Sequence, residues 1–360
     1  FDYLNLMGLP SLDLDFAGTQ SLSPVITSAR QPSPAVSFAR ASEATYFGAD
    51  GLLKIAADNE PRFDFDPVTL ICEGLLIEES RTNLLLYSED LSGSGWSASG
   101  ASVSANAAAS PDGSMTADKL VESATSATHY IGRSASITSG VTYSVQFFAK
   151  AAERSVVQFA PNSAAFPATH INFALAAGPV SALGASISGS IVPLSDGYFL
   201  CQATLTATAT SATSFVYLVI ANSPTMGRFE TYAGDGSSGL YLWGTQLEVG
   251  SSPTSYIPTT SAAASRSADL ASLAGAGFTS WFNAGEGTVV VDGDSAGALV
   301  GHYPWCLSDN INSQSSAMLA AQFRVSSNQI RVWQSTSGGS LDDFITPSGA
   351  NKYGRLSVAY

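Results

Sequence analysis

Charge is what this 360-residue chain has least of. Asp, Glu, Lys and Arg together make up 12% of it, about half the share of an ordinary soluble domain. Its surface must therefore be built mainly from Ser, Thr, Ala, Gly and Asn, which suits proteins assembled into large particles or working outside cells. The charge that is present is one-sided, 29 acidic residues against 15 basic, a net charge of -14. A phosphate backbone would be repelled, which argues against nucleic acid as a partner, and an anionic membrane surface would repel it too. Cysteine is nearly missing: Cys72, Cys201 and Cys306 form no CxxC pair and no disulfide framework, and read as core or half-buried thiols. His129, His170 and His302 lack the clustering that a zinc site needs, and no GxSxG elbow occurs. No apolar run approaches the ~18 residues that cross a bilayer, so membrane insertion is not expected. No basic segment leads into an apolar stretch as in a signal peptide. The chain opens on Phe1 and stops at Tyr360 inside a strand-like run, so residues are expected to be missing at one or both ends.

Helical periodicity is also scarce, and short strands cut by Gly, Ser, Pro, Asn and Asp take its place. Val141–Phe148, Phe215–Ile220, Leu240–Trp243, Thr288–Val291 and Gln329–Trp333 are rich in the Thr, branched and aromatic residues that favour strands. The fold class expected is all-β: tandem β-sandwiches, a jelly roll first. Three segments emerge. Residues 1–86 are punctuated by Pro10, Pro24, Pro32, Pro34, Pro61 and Pro67 and read as an extended docking segment. Residues 87–259 carry the densest strand pattern, and the small-residue run from Thr259 to Ser265 reads as a linker. Residues 266–360 begin a second sandwich that looks incomplete. The most informative stretch is Gly74–Leu91. Its apolar blocks, Leu75–Ile77 and Leu84–Leu86, flank the polar bridge Glu78–Asn83 and read as two buried strands.

Phe38-Ala39-Arg40-Ala41-Ser42, Pro61-Arg62-Phe63-Asp64-Phe65-Asp66-Pro67 and then Gly74–Leu91 follow one another in an order that resembles the head of tailed-phage virion proteins of the tail-fibre, minor-tail or capsid-associated type. Tyr87-Ser88-Glu89-Asp90-Leu91, Trp96, Pro111-Asp112-Gly113, Gly239-Leu240-Tyr241-Leu242-Trp243-Gly244 and Pro253-Thr254-Ser255-Tyr256-Ile257-Pro258 extend the match into a carbohydrate-binding-like jelly roll. The last third resembles the start of a concanavalin A/laminin-G-like sandwich. The resemblance implies a structural protein at the virion surface, on tail or head. It would dock to other virion proteins through its N-terminal part, form a homotrimer and hold host-surface glycans. It implies no catalysis. Two alternatives stay open, an architectural decoration or baseplate protein that has lost sugar binding, and a polysaccharide depolymerase.

Pyranose rings stack their C–H faces on aromatics that have an apolar body and a polar edge. Trp96, Tyr130, Tyr198 and Tyr232 fall near turns and are the candidates for glycan contact, whereas Trp243 lies in an apolar strand and reads as core. No cofactor is expected apart from a structural Ca²⁺, for which Asp112 and Asp235 in oxygen-rich loops are candidate ligands. Gly234-Asp235-Gly236-Ser237-Ser238-Gly239 spells GxGxxG, but a strand pattern rather than a helix follows it, so it reads as a loop and not as a pyrophosphate cradle. Asp64 with Asp66, and Asp292 with Asp294, would share a strand face as a glycosidase pair does, but Asp66-Pro67 and Asp292-Gly293 are turn signals. Glu78, Glu79, Arg81 and Asn83 are read as groups fixing the joint between docking segment and sandwich, with Arg62 and Arg81 clamping the carboxylates.

Overall fold

The computed structural model describes residues 14–23, 36–175, 186–274, 276 and 278 in full, and residues 12–13, 26–27, 181–183 and six strands beyond residue 287 as backbone. The chain divides into two compact units. One comprises Asp15–Leu22 and Val36–Leu273, the other Phe1–Leu14, Ser23–Ala35 and Ala274–Tyr360.

The first elements are short: β1 (Leu12–Asp13), the single-turn helix α1 (Phe16–Thr19), β2 (Ile26–Thr27) and β3 (Ser37–Ala39). Two hairpins follow, β4 (Ala44–Phe47) with β5 (Leu53–Ala56), and β6 (Phe63–Phe65) with β7 (Cys72–Leu75). Then comes β8 (Arg81–Asn83). Asp50-Gly51 makes the first hairpin's turn, as its sequence suggests, with Gly51 at a φ of 75° that side chains resist.

The sandwich is built from β9 (Ser97–Ser99), β10 (Ala101–Ala108), β11 (Ala117–Glu122), β13 (His129–Ile137), β14 (Thr142–Ala151) and β15 (Val156–Pro161). To these it adds β16 (His170–Ala174), β17 (Ser181–Leu183), β18 (Ile187–Pro193), β19 (Tyr198–Thr206), β20 (Ser211–Ala221) and β22 (Gly239–Val249). Two small pairings brace it. β12 (Ser126–Ala127) joins β21 (Tyr232–Ala233), while β23 (Ala264–Arg266) and β24 (Leu270–Ser272) return to β8 and β3. The back sheet runs β10-β11-β22-β14-β19-β18 and the front sheet β17-β16-β15-β20-β13-β9, all antiparallel. The all-β sandwich expected from the strand pattern is what forms.

Alternation explains the core. Tyr143, Val145, Phe147 and Ala149 of β14 point inward from the back sheet, and Val157 and Phe159 of β15 with Val216, Leu218 and Ile220 of β20 point inward from the front. Each such side chain contributes roughly 1.5–3 kcal/mol by leaving water. β22 breaks its own alternation. Leu240 and Leu242 face this core and Trp243 faces outward by plain alternation, but a register shift just after it, where Gly244 has a φ of 61°, brings Leu247 back in. Trp243 is 1% exposed all the same. It lies with Phe148, Tyr198 and Tyr256 under Leu53 and Phe47 of the first hairpin. Residues 36–86, expected to reach other virion proteins, thus place apolar side chains on the back sheet of their own sandwich.

Two local readings change. The block Leu75–Ile77 is not a buried strand: the strand stops at Leu75 and Ile77 is 48% exposed. The second strand is Arg81–Asn83 rather than Leu84–Leu86. In both places the polar residues take the structural positions, because their partners lie in the returning segment 253–269. The run read as a linker ends in β23, which pairs with β8 through Ala264 opposite Asn83.

In the other unit Thr288–Val291 pairs with Leu356–Ala359, and Trp305–Ser308, Met318–Arg324, Gln329–Thr336 and Gly339–Ile345 form a four-stranded antiparallel sheet. The concanavalin A-like expectation rests largely on residues outside those described, as do Asp292, Asp294 and His302 and the side chain of Cys306.

Candidate functional site

The outer face of the front sheet carries a shallow groove. It has a volume of about 340 Å³ and is lined by Thr128, Tyr130, Asn162, Ser163, Tyr217, Arg228 and Phe229, a size within the roughly 300–1,000 Å³ of small-molecule sites. Its floor follows from strand alternation. Residues 215 and 217 of β20 point outward because 216 and 218 point inward. Phe215 and Tyr217 stack at 5.5 Å with planes 10° apart. The register sets Tyr217 opposite Gly132, and a Cβ on Gly132 would lie 2.4 Å from the Tyr217 ring. The ring therefore rests on bare backbone. Tyr130 stands edge-on to Tyr217 at 5.2 Å and to Phe229 at 5.6 Å.

The loop 223–230 forms the groove's wall, and two buried amides hold it. Gln158 donates to the Gly227 carbonyl (3.1 Å) and accepts from the Phe229 N–H (3.1 Å), while Asn172 donates to the Met226 carbonyl (2.8 Å). Gln158 also donates to Asn172 at 2.8 Å. Thr128 donates to the Phe229 carbonyl at 2.7 Å. Arg228 lies over the Phe229 ring at 4.6 Å and donates to the carbonyls of Thr169 (3.1 Å) and Pro161 (2.7 Å). Burial pushes the Arg228 pKa down. Burial, then the neighbouring Tyr130, pushes the Tyr217 phenol up, so at neutral pH the hydroxyl is a proton donor. The site is thus a fixed aromatic surface edged by amide, hydroxyl and guanidinium groups.

The four aromatics expected from the sequence to contact glycan are dispersed. Tyr130 lines the groove. Trp96 packs against the core and donates its indole N–H to the Tyr87 carbonyl at 3.0 Å. Tyr198, 1% exposed, has no face free for a sugar; it is a core residue whose hydroxyl donates to the Ala109 carbonyl at 2.9 Å. Its reading as a glycan contact is corrected accordingly, because it packs beneath the first hairpin. Tyr232 is half-buried and donates to Glu122 at 2.6 Å. Proximity to turns does not single out Tyr217, Phe215, Phe229 or Arg228. The signal for the first two is Phe215-Val216-Tyr217-Leu218, aromatic on one face and aliphatic on the other.

Asp112 and Asp235 each serve their own loop. Asp112 accepts from the Ser114 N–H (2.9 Å) and from the hydroxyls of Ser110 and Ser114. Asp235 accepts from the Ser238 hydroxyl and from the N–H groups of Ser238 (2.7 Å) and Ser237 (2.8 Å), bonds that, in that order, hold its carboxyl well below the usual range. The GxGxxG run is a loop between β21 and β22 with no helix after it. Among the described residues, no three His, Cys, Asp or Glu side chains converge as metal ligands. Asp64 and Asp66 do not act as a pair. Asp66 caps the Val68 and Thr69 N–H groups of its turn, while Asp64 accepts from the Phe47 N–H at 2.7 Å.

Glu78, Glu79, Arg81 and Asn83 belong to a second, buried constellation. Glu78 accepts from the N–H (2.7 Å) and hydroxyl (2.6 Å) of Ser255, and lies 2.8 Å from both Arg62 and Arg266. Burial would raise its pKa, but Arg266 and Arg62 outweigh it and keep the carboxyl low. Asp269 accepts from Arg40 (3.0 Å), Arg62 (2.5 Å) and the Glu78 N–H (2.8 Å). The side chains of Arg40, Arg62, Arg266 and Asp269 are fully buried. Arg81 bonds to Glu79 nearer the surface. Asn83 donates to the Thr245 (3.0 Å) and Ile257 (2.8 Å) carbonyls and accepts from the Leu85 and Leu247 N–H groups. Nothing in the sequence pattern assigns Arg40, Arg266 and Asp269 to this cluster.

No protein-family model matches the chain, and no curated protein does. Among solved structures, one that matches is the enzymatically active domain of bacteriophage CBA120 tailspike protein 4, at 10% identity and a TM-score of 0.30. The match covers 46% of this chain and 21% of that one, so the chain spans about a fifth of the tailspike domain's length. The expectation that the chain is not an enzyme is corrected by this finding: the structure it is similar to is an enzymatically active domain. A likeness this distant transfers neither fold nor activity.

Proposed function

We propose that this chain is a phage tail-associated, virion-surface protein whose jelly roll binds host-surface glycan in the groove of its front sheet. The observation that carries the binding reading is the Tyr130–Tyr217–Phe229 surface, set on bare backbone at Gly132 and walled by a loop that Gln158 and Asn172 hold. Rigid aromatic faces with polar neighbours suit a ring that is apolar on its faces and polar at its rim. The virion placement is supported by the resemblance of Phe38–Ser42, Pro61–Pro67 and Gly74–Leu91 to phage structural proteins. Phe47 and Leu53 of residues 36–86 pack on the back sheet, and the groove lies on the opposite, front sheet.

The test is affinity electrophoresis of the full chain through gels cast with purified bacterial surface polysaccharides, together with immunogold labelling of virions. Retardation that Tyr217→Ala reduces by about tenfold in affinity is expected, from the loss of one well-packed ring at roughly 0.5–1.5 kcal/mol beyond area burial. Retardation unchanged in a folded Tyr217→Ala chain would place the site elsewhere. Labelling confined to the particle interior would refute the surface placement.

A further inference from the structure

Resting on the reading of the groove as a sugar site, we infer that its ligand is an acidic glycan, one whose sugar ring bears a carboxylate that Arg228 receives.

Positive charge is scarce in this chain. It has 15 basic residues against 29 acidic ones, and most of the described cations are neutralised. Arg40, Lys54, Arg62, Arg81, Lys119, Arg154 and Arg266 all stand in ion pairs. Arg133 and Lys150 lie over the Tyr87 and Tyr198 rings outside the groove, and Arg228 is the cation that lines it: among the described residues no carboxylate lies within ion-pair distance of Arg228. Glu230, its near neighbour in sequence, is turned to the Gly227 N–H at 2.8 Å. The protein groups that hold the guanidinium are neutral: two backbone carbonyls on one side and the Phe229 face on the other. Partial burial without an anion is unfavourable for a cation, and here it occurs at the mouth of an aromatic groove.

The geometry also fixes the guanidinium before any ligand arrives. Its Nε and one terminal nitrogen are committed to Thr169 and Pro161, and its Cζ lies 4.6 Å from the Phe229 ring centre. A guanidinium so placed receives a planar carboxylate with little loss of side-chain freedom. The Tyr130–Tyr217 surface takes the ring's C–H face, and Thr128, Asn162 and Ser163 stand at the rim for hydroxyls. A neutral sugar would use the aromatic face and leave the cation unanswered. In a chain of net charge -14, whose field repels acidic polymers, such a cation gives the groove a local preference for acidic over neutral sugars.

The experiment titrates the full chain, at low ionic strength, with the methyl glycosides of glucuronate and galacturonate and with those of glucose and galactose, following tyrosine and arginine side-chain resonances. The acids are expected to bind roughly fivefold more tightly than their neutral counterparts, the effect of one partly screened charge pair, with the gap closing in high salt. Arg228→Gln should erase the gap, and Arg228→Lys should keep part of it. Equal affinity for acid and neutral sugars would overturn this inference and leave the groove reading standing. A gap that persists in a folded Arg228→Gln chain would also overturn it. No response to any of the four sugars would overturn both readings together.

Discussion

Replacing Asp269 by Asn tests whether the buried ionic cluster holds the N-terminal hairpins to the sandwich. The substitution keeps shape and removes one charge. In the native chain three cations, Arg40, Arg62 and Arg266, face two anions, Glu78 and Asp269. Asp269 bonds two of those arginines and the Glu78 N–H. The substituted amide would offer one acceptor oxygen and an NH₂ group pointed at a guanidinium, leaving three buried cations against one anion. Water cannot relieve this, because these side chains are fully buried. Removing one partner of a buried pair costs about 3–5 kcal/mol, a large part of the roughly 5–15 kcal/mol that a domain ordinarily has.

With a urea m-value of about 3 kcal/mol/M, the upper end for domains of this kind, the transition should move down by about 1–2 M. Hydrogen exchange of peptides from residues 36–86, followed through the titration, reads the effect where it arises. Protection of the Phe47 and Leu76 amides should fail first, since Asp64 and the Arg62 carbonyl hold them. Lys54→Ala, which opens an exposed pair with Asp50, should leave the transition in place. A shift in Asp269→Asn of under about 0.3 M, equivalent to under about 1 kcal/mol, would refute the reasoning and assign the hold to the Phe47 and Leu53 packing alone.

Two further outcomes are expected elsewhere in the fold. Asp64 has its pKa raised to about 6, chiefly by burial. Its folded form therefore holds a proton that the unfolded chain releases nearer a pH of about 4, and stability falls as pH rises from about 4 to 6. Asp64→Asn should accordingly gain up to about 3 kcal/mol over the native chain at a pH of about 8 and nothing at about 4, measured by urea melts at both values; an equal effect at both would contradict the linkage. Gly132→Ala should displace the Tyr217 ring, whose Cδ1 would lie 2.4 Å from the new methyl. The expected result is about 1–3 kcal/mol of lost stability and a weakened sugar response, read by thermal melts and the glycoside titration.

Legibility in the sequence differed sharply between strand and site. β14, β20 and β22 could be read because each repeats apolar residues at a spacing of two against turn residues, a local property. Trp243 could be recognised as buried, but not that it is buried away from the main core, under the first hairpin, nor that a bulge after it returns Leu247 to the main core. Half of the ionic cluster was legible, since Glu78, Arg81 and Asn83 stand in one polar bridge, whereas Arg40 and Asp269 meet across 229 positions. Nothing local marks either as the other's partner. The groove fails in the same way. Tyr130 was visible as an aromatic near a turn, but Tyr217 becomes a platform only because the register of β13 and β20 brings Gly132 beneath it.

The two sites also explain each other's position. Hairpins with strands of three or four residues are too short to form a core of their own, so residues 36–86 must be held to something larger. Apolar contact does part of this through Phe47 and Leu53, but apolar contact is not directional. Arginine forks are directional, and Arg40 and Arg62 each bond the same carboxylate from different hairpin flanks. That fixes which face of the sandwich the segment covers. The groove's outward aromatics lie on the front sheet, the face this segment does not pack on. Charges therefore stand at both places. Those in buried ion pairs set the covered face, and Arg228, with no carboxylate beside it among the described residues, marks the open one.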